Sequence, residues 1–138
     1  MPSDQPNLIP FLENLATQLE GTLHWDLLTQ TLYATDASVY REIPLAVAFP
    51  KTEKDIQRLI QFATENGTSL IPRTAGTSLA GQCVGNGIVV DVSTHFNQIL
   101  ELNTEERWVR VQPGVVRDEL NRYLKPHGLF FSPITSTA

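Results

Sequence analysis

Cysteine is nearly absent from the 138-residue sequence: Cys83 stands alone. No internal disulfide can form, and no Cys/His cluster at metal-ligand spacing accompanies it, so a reducing compartment is the simplest reading. Long apolar runs are also missing. Nothing approaches the roughly 20 residues of a membrane-spanning helix, and the opening MPSDQPNLIP has neither a basic lead nor a secretory apolar stretch. The expectation is a cytoplasmic protein without a membrane span. Positive charge is scarce at one end: residues 1–50 hold one base, Arg41, against six acids, whereas residues 51–138 hold nine of each. With a net charge of −5 and no basic face, nucleic acid is not an expected partner, because phosphate neutralisation needs clustered Lys and Arg. An anionic membrane surface is disfavoured on the same ground.

What is present fits one soluble core. Hydrophobic residues at 41% and charged residues at 18% are ordinary for a globular domain. A compact chain of 15.4 kDa should expose roughly 7,000 Å². Leu8, Ile9, Phe11, Leu12, Leu15 and Leu19 recur at helical spacing and predict a helix over 7–20, stopped by Gly21. A short strand over 22–25 and a helical turn follow, with Asp36, Ala37 and Ser38 in a loop. Residues 46–49 read as a strand. Thr52 then offers an N-cap, and Ile56, Leu59, Ile60 and Ala63 give an apolar stripe ending at Asn66-Gly67. A strand over 69–72 completes a β-α-β unit, which favours parallel pairing and a right-handed crossover. Further strands are expected over 87–92 and, as a hairpin, over 98–102 and 108–112, then a helix over 115–124 and a last strand over 129–131. A strand followed by a small polar tail leaves one sheet edge unfinished, so the sequence reads as truncated, with self-association expected at the open edge.

Residues 73–87, RTAGTSLAGQCVGNG, have neither helical nor strand period. Long loops in compact domains are usually functional, although a plain surface connection is the other reading. Ala75, Gly76, Thr77 and Ser78 are small enough for backbone N–H groups to converge on an anion such as a diphosphate. The spacing Gly76-xxxx-Gly81 matches a Walker A loop, but Gln82 and Cys83 stand where Lys and Ser/Thr are required. Gly81, Gly85 and Gly87 have the wrong intervals for the Rossmann fingerprint. His24, His95 and His127 are scattered without catalytic partners. Cys83 has no nearby base to activate it, Trp25 and Trp108 read as core or rim residues, and Glu105-Glu106 as a solvated turn.

Four ordered strings, PRTAGTSLAGQ (72–82), VVDVS (89–93), ERWVRVQPGV (106–115) and DELNRYLKPHGLFFSP (118–133), resemble the N-terminal FAD-binding domain of the vanillyl-alcohol-oxidase and para-cresol-methylhydroxylase (PCMH) family. Within it the likeness is nearest to the glycolate-oxidase flavin subunit and the D-2-hydroxyacid or D-lactate dehydrogenases. The resemblance implies an α+β (mixed α/β) fold of PCMH type, a β-α-β start followed by a mixed sheet with a hairpin. Residues 1–44 would be a helical lead-in and 45–138 the first part of the FAD-binding domain. It implies FAD as cofactor, with the backbone amides of Thr74, Ala75, Gly76, Thr77 and Ser78 around the diphosphate and Arg73 beside them. Gly81 and Gln82 would continue that wall, flanked by Pro113, Gly114 and Val115 and by Pro133, Thr135, Ser136 and Thr137. Arg73 could pair with the diphosphate, or equally serve as a salt-bridge or carbonyl-binding residue at a strand end. Thr74 and Ala75 replace glycines common in the family, and Ile134-Thr135 stand where Asp-Pro is common. Thr77 occupies the position at which tethering relatives carry His, so the implied FAD is non-covalent. The implied activity is hydride transfer from a 2-hydroxy acid carbon to flavin N5, with substrate and base residues outside these 138. A flavin-free regulatory or scaffold module and an unrelated small nucleotide-binding module are the alternatives.

Overall fold

The computed structural model describes residues 7–134. Helix α1 (Ile9–Gln18), strand β1 (Thr22–His24) and the short helix α2 (Leu27–Leu32) come first. Pro10 fits the first turn of α1 because its missing N–H would be unpaired there in any case. Asp26 caps α2 by accepting from the Thr29 N–H at 3.0 Å. Strand β2 (Ala46–Phe49), helix α3 (Glu53–Asn66) and strands β3 (Leu70–Arg73) and β4 (Ile88–Asp91) follow. Both expected caps of α3 are present: Thr52 Oγ1 accepts from the Asp55 N–H at 3.2 Å, and Gly67 takes the left-handed conformation at φ 62°.

The strands meet in the order β1-β2-β4-β3. β2 and β3 therefore do not pair with each other. Each pairs in parallel with β4, Ala46 and Leu70 both opposite Ile88, while β1 adds antiparallel to β2. Hydrophobicity sets this order, since every residue of β4 is buried and a strand apolar on both faces belongs at the centre. Ala46, Ala48, Ile88 and Val90 meet Leu12 and Leu15 of α1 and Leu59 and Phe62 of α3 in one cluster. Val47, Ile71 and Val89 form a second, against Tyr33 and Phe49.

The inner face of α3 differs from the expected stripe. Asp55, Leu59, Phe62 and Ala63 are buried, and Ile60 is exposed. Asp55 sets this rotation. Its carboxylate accepts from the N–H groups of Glu20, Gly21 and Lys51 at 2.9 Å each, tying the start of α3 to the turn between α1 and β1.

Strands β5 (Ile99–Asn103) and β6 (Trp108–Val111) form the expected hairpin, which pairs only with itself among the described residues. Trp108 Nε1 donates to Glu106 Oε2 at 2.7 Å, so Glu106 braces the turn rather than only facing water. Helix α4 (Arg117–Leu124) and a 3₁₀ turn (Lys125–His127) follow. The strand expected over 129–131 is absent. No neighbouring strand offers a ladder there, and the Phe131 N–H donates to Asn121 Oδ1 at 2.7 Å instead. Neither core cluster contains a residue beyond Val92.

Candidate functional site

Parallel strands β3 and β4 end at one edge of the sheet, with Arg73 opposite Asp91. In open α/β sheets the crevice outside such carboxyl ends is where ligands bind. The loop leaving Arg73 turns through buried Gly76 at φ 66° and through Gly81 at φ 74°, a region that side chains bearing a Cβ disfavour. Thr74, Ala75 and Thr77 are exposed. Among the described residues, the backbone N–H groups of residues 74–79 donate no hydrogen bond. Beyond them the loop closes on itself: the Ala80 and Gln82 N–H groups donate to Ser78 Oγ at 3.2 Å, and the Ser78 hydroxyl donates to Gln82 Oε1 at 2.8 Å. A run of unpaired amides presents partial positive charge, and over residues 74–78 the side chains are small enough to let an anion approach.

A second segment, residues 33–40, holds this one. The Ala37 N–H donates to the Gly76 carbonyl at 3.1 Å. Asp36 Oδ2 accepts from the Cys83 N–H at 3.4 Å, and its Oδ1 from the Ser38 N–H at 2.8 Å. Hydrogen bonding from Ser38, with help from the Cys83 N–H and the Arg73 charge, outweighs desolvation and holds the Asp36 carboxyl below its ordinary value. Arg73 Nη1 donates to the carbonyls of Thr35 at 2.8 Å and Tyr33 at 3.4 Å. The Tyr33 hydroxyl donates to Asp91 Oδ2 at 2.6 Å, and Ser93 bonds Oδ1 through its N–H and hydroxyl at 2.9 and 2.6 Å. Burial first, then the Asp91 hydrogen bond and charge, push the Tyr33 phenol well above its usual value. The Asp-x-Ser turn at Asp36 is the local signal that could have marked this segment.

Gly114 is drawn to the same edge. A Cβ there would stand 2.9 Å from Ser93 Cα and 2.7 Å from the Phe96 carbonyl oxygen, so only glycine fits. Pro113 is exposed and Val115 half-buried beside it. Pro133 is exposed and makes no hydrogen bond to the loop among the described residues. Thr135, Ser136 and Thr137 lie outside the described residues. Cys83 is a half-buried free thiol. His24 packs edge-on to Phe49 and His127 lies against Tyr123. Among the described residues no cluster of His, Cys, Asp and Glu could hold a metal, and no helix is long and apolar enough to cross a membrane.

Among the described residues, unpaired amides on a glycine-turned loop lie at the carboxyl edge of parallel strands, a place where an anion can be held. Comparison with known proteins gives the family. The chain is 45% identical, over its whole length, to a D-2-hydroxyglutarate dehydrogenase of Haemophilus influenzae, of which it covers 14%. It is 35% identical over 77% of its length to glycolate oxidase subunit GlcD of Bacillus subtilis, covering 23% of that protein. The chain thus spans only a small part of these relatives. A crystal structure of p-cresol methylhydroxylase superposes on 94% of the chain with TM-score 0.77 at 14% identity, covering 27% of that protein, so the fold is of PCMH type. A family model described as an FAD binding domain matches residues 44–138, from two residues before β2 through every later element, and the chain belongs to that family.

Proposed function

We propose that the chain is the first part of the FAD site of a flavin-dependent oxidoreductase acting on a 2-hydroxy acid of the glycolate, D-lactate or D-2-hydroxyglutarate class. The observation that carries this reading is the run of N–H groups over residues 74–79 that have no partner among the described residues. These amides take the diphosphate, Gly81 and Gln82 continue the wall, and Pro113, Gly114 and Val115 border the site. Pro133, Thr135, Ser136 and Thr137 belong to a segment assigned to the same cofactor by the family resemblance. FAD held there would supply the redox chemistry, as a hydride acceptor. The contribution of this chain is to bind and orient the cofactor, and it does not turn over substrate alone. Thr77 offers no ring nitrogen for a covalent tether, which supports non-covalent FAD. A single cysteine and a chain without a basic face support a cytoplasmic setting and a small-molecule rather than nucleic-acid partner. The test is anaerobic addition of D-lactate, glycolate and D-2-hydroxyglutarate to the full-length protein. Bleaching of the flavin absorbance by one of them is expected, and bleaching by none contradicts the substrate class.

A further inference from the structure

We infer that Arg73 is a positioning residue that pre-forms the diphosphate loop and is not itself a ligand of the anion; the inference rests on the FAD reading above. One nitrogen of the guanidinium is held by backbone carbonyls, and Gly76 covers the rest of the group. Nη1 donates to the Thr35 carbonyl at 2.8 Å and the Tyr33 carbonyl at 3.4 Å, and Cζ lies 5.0 Å from the centre of the Tyr33 ring. Gly76 packs against the same group: a Cβ there would stand 2.5 Å from Nη2, 2.7 Å from Cζ and 2.8 Å from Nε. Tyr33 is in turn pinned by its hydroxyl to buried Asp91 at 2.6 Å.

Arg73 therefore joins β3 to residues 33–35, and the adjoining residues reach the loop. The Ala37 N–H takes the Gly76 carbonyl at 3.1 Å. In a trans peptide the carbonyl and the following N–H point in opposite directions. Turning the Gly76 carbonyl toward Ala37 thus turns the Thr77 N–H away from the supporting segment, where an anion can meet it. Tyr40 closes the far end of the loop, its Cδ2 2.7 Å from where a Gly81 Cβ would be. Lysine cannot replace this arrangement, because an ammonium has no planar face to lie between the Tyr33 ring and Gly76.

The experiment uses the full-length protein with Arg73→Lys and Arg73→Met. Dissociation constants for FAD and ADP are measured, together with amide exchange of the peptide containing Ala37 in flavin-free protein. Both variants should weaken FAD and ADP alike by about tenfold or more, as the loss of hydrogen bonds from a charged donor implies. Ala37 exchange should speed up without any ligand, and excess FAD should restore activity with an unchanged substrate KM. Wild-type affinity in Arg73→Lys with loss only in Arg73→Met would identify a charge ligand and overturn the inference, as would unchanged Ala37 exchange. If both variants unfold, Tyr33→Leu keeps every charge and removes the stacking ring. It should weaken FAD and ADP in the same way, and unaltered affinities contradict the inference. A wild-type protein that binds no FAD refutes the cofactor reading, while Ala37 exchange still decides the role of Arg73.

Discussion

Gly76 carries two constraints at one position. Its φ of 66° costs a residue with a Cβ about 1–2 kcal/mol, and any side chain there meets the Arg73 guanidinium. In the full-length protein Gly76→Val should lower FAD affinity by about tenfold or more, read as flavin content after purification. Wild-type flavin content would refute the proposed cradle. Asp55 carries the other residue-scale prediction. Burial opposes its ionisation, but the N–H groups of Lys51, Glu20, Gly21 and Thr52 outweigh burial and hold the carboxyl below its ordinary value. A depressed folded pKa stabilises the fold fully above the unfolded value, about 3.9, and that contribution is lost as pH falls through the folded value. Asp55→Asn should destabilise the chain at pH 7 by about 2–4 kcal/mol, because an amide N–H2 would face backbone donors. It should also flatten the loss of stability below about pH 4 that urea titrations of the wild type show. An equal pH profile in both proteins would contradict this.

At the scale of elements, α3 was legible in the sequence because its signals are local: Thr52, the apolar repeat and Asn66-Gly67 fix its ends within a few residues. Thr52→Ala should cost about 1 kcal/mol in denaturant unfolding, and no change would mean that the cap is not formed in solution. Its rotation was not legible. Asp55 reads as a first-turn acid until the amides of Glu20 and Gly21, more than thirty residues away, are seen to need it. Strand order was hidden for the same reason, since nothing in residues 46–72 says that β4 will separate β2 from β3. The strand expected over 129–131 had the right composition but no partner, and composition alone does not make a ladder. The irregular, glycine-turned loop after β3 was legible from its small residues, whereas its support by residues 33–40 was not, because that depends on contacts such as Ala37 with Gly76.

The whole molecule exposes 9168 Å², against roughly 7,000 Å² for a compact chain of this mass. Part of the surface is apolar: Leu27, Leu28 and Leu32 of α2, with Val39 and Phe130, are 65% to 94% exposed. Edge strand β3 carries Pro72, which removes one donor and blunts strand-to-strand addition. Self-association of this chain is therefore expected through apolar side chains, as a mass that rises with concentration in light scattering. A clean monomer at high concentration contradicts it. The core clusters stop at Val92, so amide exchange should be fastest over β5, β6 and α4 and slowest over β2 and β4.

The measurement that reaches the central claim most directly is the visible absorption spectrum of the purified full-length protein before and after acid precipitation. The account predicts a flavin spectrum that moves entirely into the acid supernatant as FAD. Colour retained in the precipitate would contradict non-covalent attachment, and a colourless protein that also fails to take up added FAD would contradict the cofactor site itself.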